Sequence, residues 1–213
     1  MVGVEMSSDS VWLLRETRGL VKGCSSCGLC RGANKVVFGS GSPDADIFVI
    51  GEAPGEKEDQ EGRPFVGPSG KLLDSVLRVA GLSRDMCYVA NMVKARPPGN
   101  RNPTDEELKA CVPYLEEQVT AVKPRVIVLL GGVASSFLLS KPISEARQVM
   151  WGLWGHYTFA TYHPAYILRN PKMSGEVVED LKKVASFLKK DEEGGKVIED
   201  MKRVLLKKEE GRR

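Results

Sequence analysis

The sequence predicts an α/β protein of three layers, in which a central, mostly parallel four-stranded sheet is covered by helices on both faces. Three observations carry that expectation. Four short apolar, β-branched runs, Ile47 to Ile50, Tyr88 to Val93, Val126 to Leu130 and Tyr157 to Thr161, are each bounded by turn-forming or charged residues. Runs of that kind read as strands buried on both faces. The segments between them carry apolar residues at helical spacing, and strands that alternate with helices form parallel sheets through right-handed crossovers.

Taken in order, a segment with Cys24, Cys27 and Cys30 precedes the first strand. After that strand, Leu72, Leu73, Val76, Leu77 and Ala80 fall on one helical face, with Ser69 placed to cap the helix and Gly81 to close it. The second strand leads to Thr104 and Glu107, a capping box, followed by Leu108, Cys111, Leu115, Val119 and Val122 at helical spacing. Pro113 is expected to bend that helix. A short helix is expected after Gly132. Another covers Ser174 to Lys189 through Val177, Val178, Leu181, Val184 and Leu188. Residues 1–188 read as one domain that includes the cysteine segment 20–34. Residues 189–213, with nine basic and seven acidic side chains around Val197, Met201, Val204 and Leu205, read as a charged, helical extension.

Composition narrows the classes. The 213 residues are 42% hydrophobic and 28% charged, which fits a folded globular chain and not a disordered one. The longest apolar stretch, Val126 to Leu139, is broken by Gly131, Gly132, Ser135 and Ser136. It falls short of the ~18–20 residues a membrane span needs, so no membrane association is expected. The start, Met1-Val2-Gly3-Val4-Glu5, has no basic segment ahead of an apolar core. The expected compartment is therefore the cytoplasm, where five cysteines are not a disulfide framework. A net charge of +3 neither marks nor excludes a nucleic-acid binder, because local patches outweigh the sum.

In open parallel sheets ligands bind beyond the carboxyl ends of the strands. Every strand here ends in an unusual sequence: Gly51-Glu52-Ala53-Pro54-Gly55-Glu56-Lys57-Glu58-Asp59 after the first, Asn91 to Lys94 and Arg96-Pro97-Pro98-Gly99-Asn100-Arg101 after the second, Gly131-Gly132 after the third and Tyr162-His163-Pro164-Ala165-Tyr166 after the fourth. Any one of them is an ordinary turn. Four on one sheet edge point to a single site. Gly67-Pro68-Ser69-Gly70-Lys71-Leu72 is not a nucleotide phosphate loop, because it lacks the spacing and the Ser or Thr after lysine.

Three of these segments, GEAPGEKEDQEGRPFVG (Gly51 to Gly67), YVANMVKARPPGNRNPT (Tyr88 to Thr104) and TYHPAYILRNP (Thr161 to Pro171), closely resemble family 4 uracil-DNA glycosylases, the thermostable iron-sulfur type. The likeness runs from about Cys24 to Leu188, and family 5 differs in the first and last motifs. The resemblance implies a monofunctional hydrolase that flips deoxyuridine out of single- or double-stranded DNA, releases uracil and leaves an abasic site. It is expected to act as a monomer, with a sliding clamp as an open further partner. Two other classes fit the same motifs: a DNA- or RNA-binding iron-sulfur module without catalysis, and a small-molecule nucleotide hydrolase.

Excision needs a π-face, a two-way hydrogen-bonding side chain and a donor for the leaving base. The resemblance assigns these to Phe65, Asn91 and His163, with Gly51, Glu52, Ala53 and Glu58 completing the uracil pocket. Asn91 offers donor and acceptor to uracil O4 and N3, a pattern that cytosine reverses. His163 donates to O2 as charge develops. Glu52 positions water or its loop, since Ala53 stands where the wider superfamily carries a water-activating Asp, and Glu58 is placed near the C5 edge. Lys94, Arg96, Arg101, Gly132 and Arg169 are the expected DNA contacts, with Ile167, Leu168 or Arg169 as a wedge. His156 receives a structural role.

The family's [4Fe-4S] cluster would be held by Cys24, Cys27 and Cys111, yet Ala95 stands where its remaining ligand is expected. The cluster is then absent, held by three cysteines, or completed by another. Cys30, in a C-x2-C-x2-C run, is preferred to Cys87, which lies about 26 Å from Ala95 along a strand. Excision needs no electron transfer, so the cluster would serve to tie the N-terminal segment to the helix after Thr104.

Overall fold

The computed structural model describes residues 8–193. Its elements in chain order are α1 (Ser8–Lys22), α2 (Leu29–Gly32), β1 (Ile47–Gly51), α3 (Glu56–Glu61), α4 (Pro68–Val79), β2 (Cys87–Asn91), α5 (Asp105–Val122), β3 (Val126–Leu130), α6 (Gly132–Leu139), α7 (Ile143–Ala146), β4 (Trp151–Leu153), β5 (His156–Thr161), α8 (Pro164–Arg169) and α9 (Ser174–Glu193). The sheet order is β2-β1-β3-β5-β4. The first four of these strands are mutually parallel, and β4 runs antiparallel to β5 on the edge.

Alternation along the strands creates two cores. Phe48, Ile50, Tyr88, Ala90, Ile127 and Leu129 face one way and pack with Leu108, Cys111, Leu115, Val119 and Val122 of α5 and Ala134 of α6. Ile47, Val49, Cys87, Val89, Val126, Val128 and Leu130 face the other way, onto Leu73, Val76 and Leu77 of α4, Ile167 of α8 and Val177, Leu181 and Val184 of α9. Burial on both faces is why these strands are near-continuous apolar runs. The three layers expected are thus present. α1 lies outside α5, where Thr17 Oγ1 donates to Glu117 Oε2 at 3.0 Å.

The sheet has five strands, not four. β4 is only three residues long, includes Gly152 and is only partly buried, so it leaves no period-two signal. The second strand stops at Asn91, and Met92 and Val93, though fully buried, lie beyond it. The first residue before α4 is Gly67 with Pro68 following, so Ser69 is not the cap. Gly81 does close this helix: at φ 80° it allows Leu82 N–H to reach Leu77 O at 2.9 Å and its own N–H to reach Arg78 O at 3.1 Å. The Thr104–Glu107 capping box is formed, and α5 continues through Pro113. Within residues 8–193 no helix is long and apolar enough to cross a membrane. Most of the charged extension, residues 194–213, lies outside the described residues.

Candidate active site

Parallel register brings Gly51, Asn91, Leu130 and Thr161 to one sheet edge, where the loops that follow enclose a cleft of about 1120 Å³. Its floor is made by close approach of backbone and side chain. A Cβ on Gly51 would lie 2.4 Å from Asn91 Oδ1 and 2.5 Å from Phe65 Cζ, so only glycine leaves both side chains in place. Asn91 is 2% exposed and lines the cleft, and its buried Oδ1 has no hydrogen-bond partner. An unmet acceptor of that kind costs about 1–3 kcal/mol, which a ligand N–H can recover.

Phe65 is set beside it by a strained turn. Its φ is +53°, and a Cβ at Gly70 would lie 1.8 Å from Phe65 O, so α4 starts directly against this backbone. Glu58 holds the same turn, its Oε1 accepting Val66 N–H at 2.9 Å and Gly67 N–H at 2.8 Å. Glu58 does line the cleft, but its carboxylate is engaged with backbone.

His163 caps α8, and its Nδ1 accepts Ala165 N–H at 3.1 Å. The proton of the neutral ring therefore sits on Nε2, leaving a donor. Burial, and secondarily Arg169, push its pKa down to about 4. Its ring centroid is 5.8 Å from that of Phe65. A Cβ on Gly131, at φ 93°, would sit 2.9 Å from His163 Cβ. Glu52 lines the same cleft, its pKa raised by burial and held back by Arg169. Phe65, Asn91, His163, Glu52, Ala53, Glu58, Arg101, Gly132 and Arg169 are thus all gathered at one opening.

Lys94 is not at the surface and cannot meet DNA phosphates. It is 0% exposed, Nζ donating to Asn91 O at 2.9 Å and Gln118 Oε1 at 2.5 Å, and burial lowers its pKa to about 7. A basic residue in a polar motif reads as exposed, because nothing local reveals that α5 covers it. Arg101 forks onto Glu107 with bonds of 2.8 and 2.6 Å, and Arg96 Nε bonds Asn100 Oδ1 at 2.8 Å. Ile167 is 3% exposed and belongs to the core, so it is no wedge, while Leu168 is exposed. His156 Nδ1 pairs with Pro124 O at 2.7 Å, a structural role.

Residues that sequence reasoning missed support the His163 segment. Arg147 lies 4.7 Å over the Tyr162 ring, which stacks on Tyr166 at 5.1 Å, and both tyrosines line the cleft. Buried Asp180 accepts from Thr161 Oγ1 and Arg147 Nε, both at 2.9 Å. The aromatic pair four residues apart was visible in the motif. The Asp180 link needs the fold.

Among the described residues no three His, Cys, Asp or Glu side chains form a ready metal-holding group. The thiols are nonetheless neighbours. Burial raises the Cys30 pKa, and the charges of Cys24 and Cys27 raise it further. Cys111, pushed up to about 11 by burial, also responds to Cys27 and Cys30. Ala95 is buried in the same apolar cluster as Cys111, against which Cys27 and Cys30 pack. Cys87 belongs to the opposite face of the sheet.

Residues 38–185 match the model of the uracil DNA glycosylase superfamily. The chain is 43% identical over 178 residues to a type-4 uracil-DNA glycosylase of Thermotoga maritima, covering 80% of this chain and 92% of the relative. It is 40% identical over 188 residues to the type-4 enzyme of Sulfurisphaera tokodaii, covering 83% and 84% respectively. The likeness to a type-5 uracil-DNA glycosylase of Thermus thermophilus, 38% identical, spans 49% of this chain.

Proposed function

The chain belongs to the uracil-DNA glycosylase superfamily, and from that premise we propose that it hydrolyses the bond between uracil and deoxyribose in DNA, leaving an abasic site for base excision repair. The observation that carries this reading is the orphan Asn91 Oδ1, buried at the floor of the cleft beside an aromatic ring and a histidine donor. Uracil N3–H meets that acceptor, and the amide N–H group of Asn91 meets O4. Cytosine has an acceptor at N3 and a donor at C4, so both contacts become repulsive.

The steps follow from the side chains. The nucleotide leaves the stack and its base enters against Phe65. The C1′–N1 bond breaks and its electron pair leaves with the base. His163 Nε2–H donates to O2, where negative charge grows, in a site that holds the ring neutral. Water then adds to C1′, oriented by Glu52, and its released proton neutralises the uracil anion. Arg169, at the cleft mouth, supplies positive charge to both Glu52 and His163 as well as to DNA phosphates.

The proposal extends to a [4Fe-4S] cluster held by Cys24, Cys27, Cys111 and, in place of the family's residue at Ala95, Cys30. What supports it is the donor set: Cys30 feels the charges of Cys24 and Cys27, Cys111 those of Cys27 and Cys30, and Cys27 and Cys30 pack against the apolar cluster that contains Cys111 and Ala95. When bound, such a group would crosslink the N-terminal segment to α5 and take no part in excision. Iron and sulfide analysis after anaerobic purification tests this, and Cys30→Ser should lower the iron content. Full iron retention in that variant would remove Cys30 from the set.

An end-labelled oligonucleotide with one uracil, treated with protein and then alkali, tests the activity. A break at the uracil is expected. An intact strand at all temperatures would overturn the reading.

A further inference from the structure

We propose that Lys94 is a positioning residue for Asn91, the side chain assigned above to uracil, and this proposal rests on that reading. Full burial of a lysine requires a compensating set of acceptors. Lys94 has two, the backbone carbonyl of Asn91 at 2.9 Å and the side chain of Gln118 at 2.5 Å. Gln118 is itself 0% exposed and is fixed from its other end, Nε2 donating to Phe38 O at 3.0 Å and to Tyr88 Oη at 3.3 Å. The Lys94 main chain is held as well, its carbonyl accepting Val37 N–H at 2.7 Å and its N–H serving the Cys111 thiol. Lys94 is thus anchored to α5, to the segment before β1 and to β2, and its Nζ–H holds the last residue of β2 by the carbonyl.

That clamp matters because the slot for Asn91 is narrow. Oδ1 stands where a single added carbon on Gly51 would come within 2.4 Å, and β2 has no ladder partner after Asn91. Beyond the strand only the bonds of Met92 N–H to Gly51 O at 2.9 Å and Val93 N–H to Glu52 O at 3.4 Å continue the tie to β1. A small rotation at Asn91 would aim the amide away from the base. Lys94 therefore sets the reading geometry without touching substrate.

A double-mutant cycle tests this through single-turnover excision of uracil, with DNA affinity measured in parallel. Asn91→Ala should slow excision by about 10²–10³-fold, as loss of a preorganised contact does. Lys94→Met should slow it by about 10–100-fold with DNA affinity unchanged, the effect of a slightly misplaced group. In the Asn91→Ala background Lys94→Met should then cost less than about 3-fold, because the residue it acts through is gone. Gln118→Met, which breaks the clamp from its other end, should repeat the pattern and carries the cycle should Lys94→Met not fold. Equal slowing in both backgrounds, or an unchanged rate in an otherwise wild-type protein, would overturn the positioning role. Failure of the unaltered protein to excise uracil would count against the glycosylase reading instead.

Discussion

Asn91, His163 and Glu52 occupy one cleft in three different electrostatic situations, and each has its own signature. His163 is neutral with its proton on Nε2, because Nδ1 is committed to Ala165 N–H and its pKa is about 4. The excision rate should therefore have no inflection near pH 6.5, where an ordinary histidine titrates. Stability has the complementary dependence. The folded pKa is lowered, so between pH 6.5 and about 4 the unfolded chain binds more protons, and stability falls as pH falls through that window. His163→Gln should flatten this part of the stability profile in denaturant titrations. Glu52 differs in sign: burial raises its pKa, so activity should decline on acidification above the usual carboxylate range. Arg169 holds that pKa down, and Arg169→Gln should shift the acid limb to higher pH, whereas Glu52→Gln should abolish it. An acid limb unmoved by Arg169→Gln would dissociate the two groups.

At the scale of elements, the site depends on strand ends and turns that admit no added atoms. Gly51→Ala should slow single-turnover excision by about 10²-fold or more, since its Cβ would displace Asn91 Oδ1 and Phe65 together. Gly132→Ala is the contrast, since nothing lies within 4 Å of a Cβ there, and its rate should stay near wild type if only its backbone is used. The sequence made most of these elements legible for a physical reason. Parallel strands buried on both faces are solid apolar runs, and a capping box or a left-handed glycine marks a helix end. α1 was illegible because its pattern is inverted: Ser10, Thr17 and Val21 are buried while Val11, Trp12 and Leu20 are exposed. Phe65, Asn91 and His163 were legible from their motifs. Lys94 was misread and Asp180 missed, because both depend on a helix far away in the chain packing over them.

At the scale of the whole molecule, the placement of charge decides how DNA is held. The net charge is +3, and the basic residues of the cleft are few: Lys57 and Arg169 are exposed there, and Arg101 is already forked onto Glu107. With Lys94 removed from the surface, the cleft among the described residues offers few basic side chains to meet phosphates. Each such contact contributes about −0.9 to the slope of log affinity against log salt on duplex DNA. The slope should therefore be shallow, and Arg169→Ala should reduce its magnitude by about 1. Lys94→Met should leave the slope unchanged while lowering the excision rate. That pair of outcomes separates a side chain that meets phosphate from one that works inside the fold. Fluorescence anisotropy with an oligonucleotide carrying a non-hydrolysable deoxyuridine analogue, across a salt series, measures both. A reduced slope in Lys94→Met would return that lysine to the DNA surface and contradict its burial beneath α5.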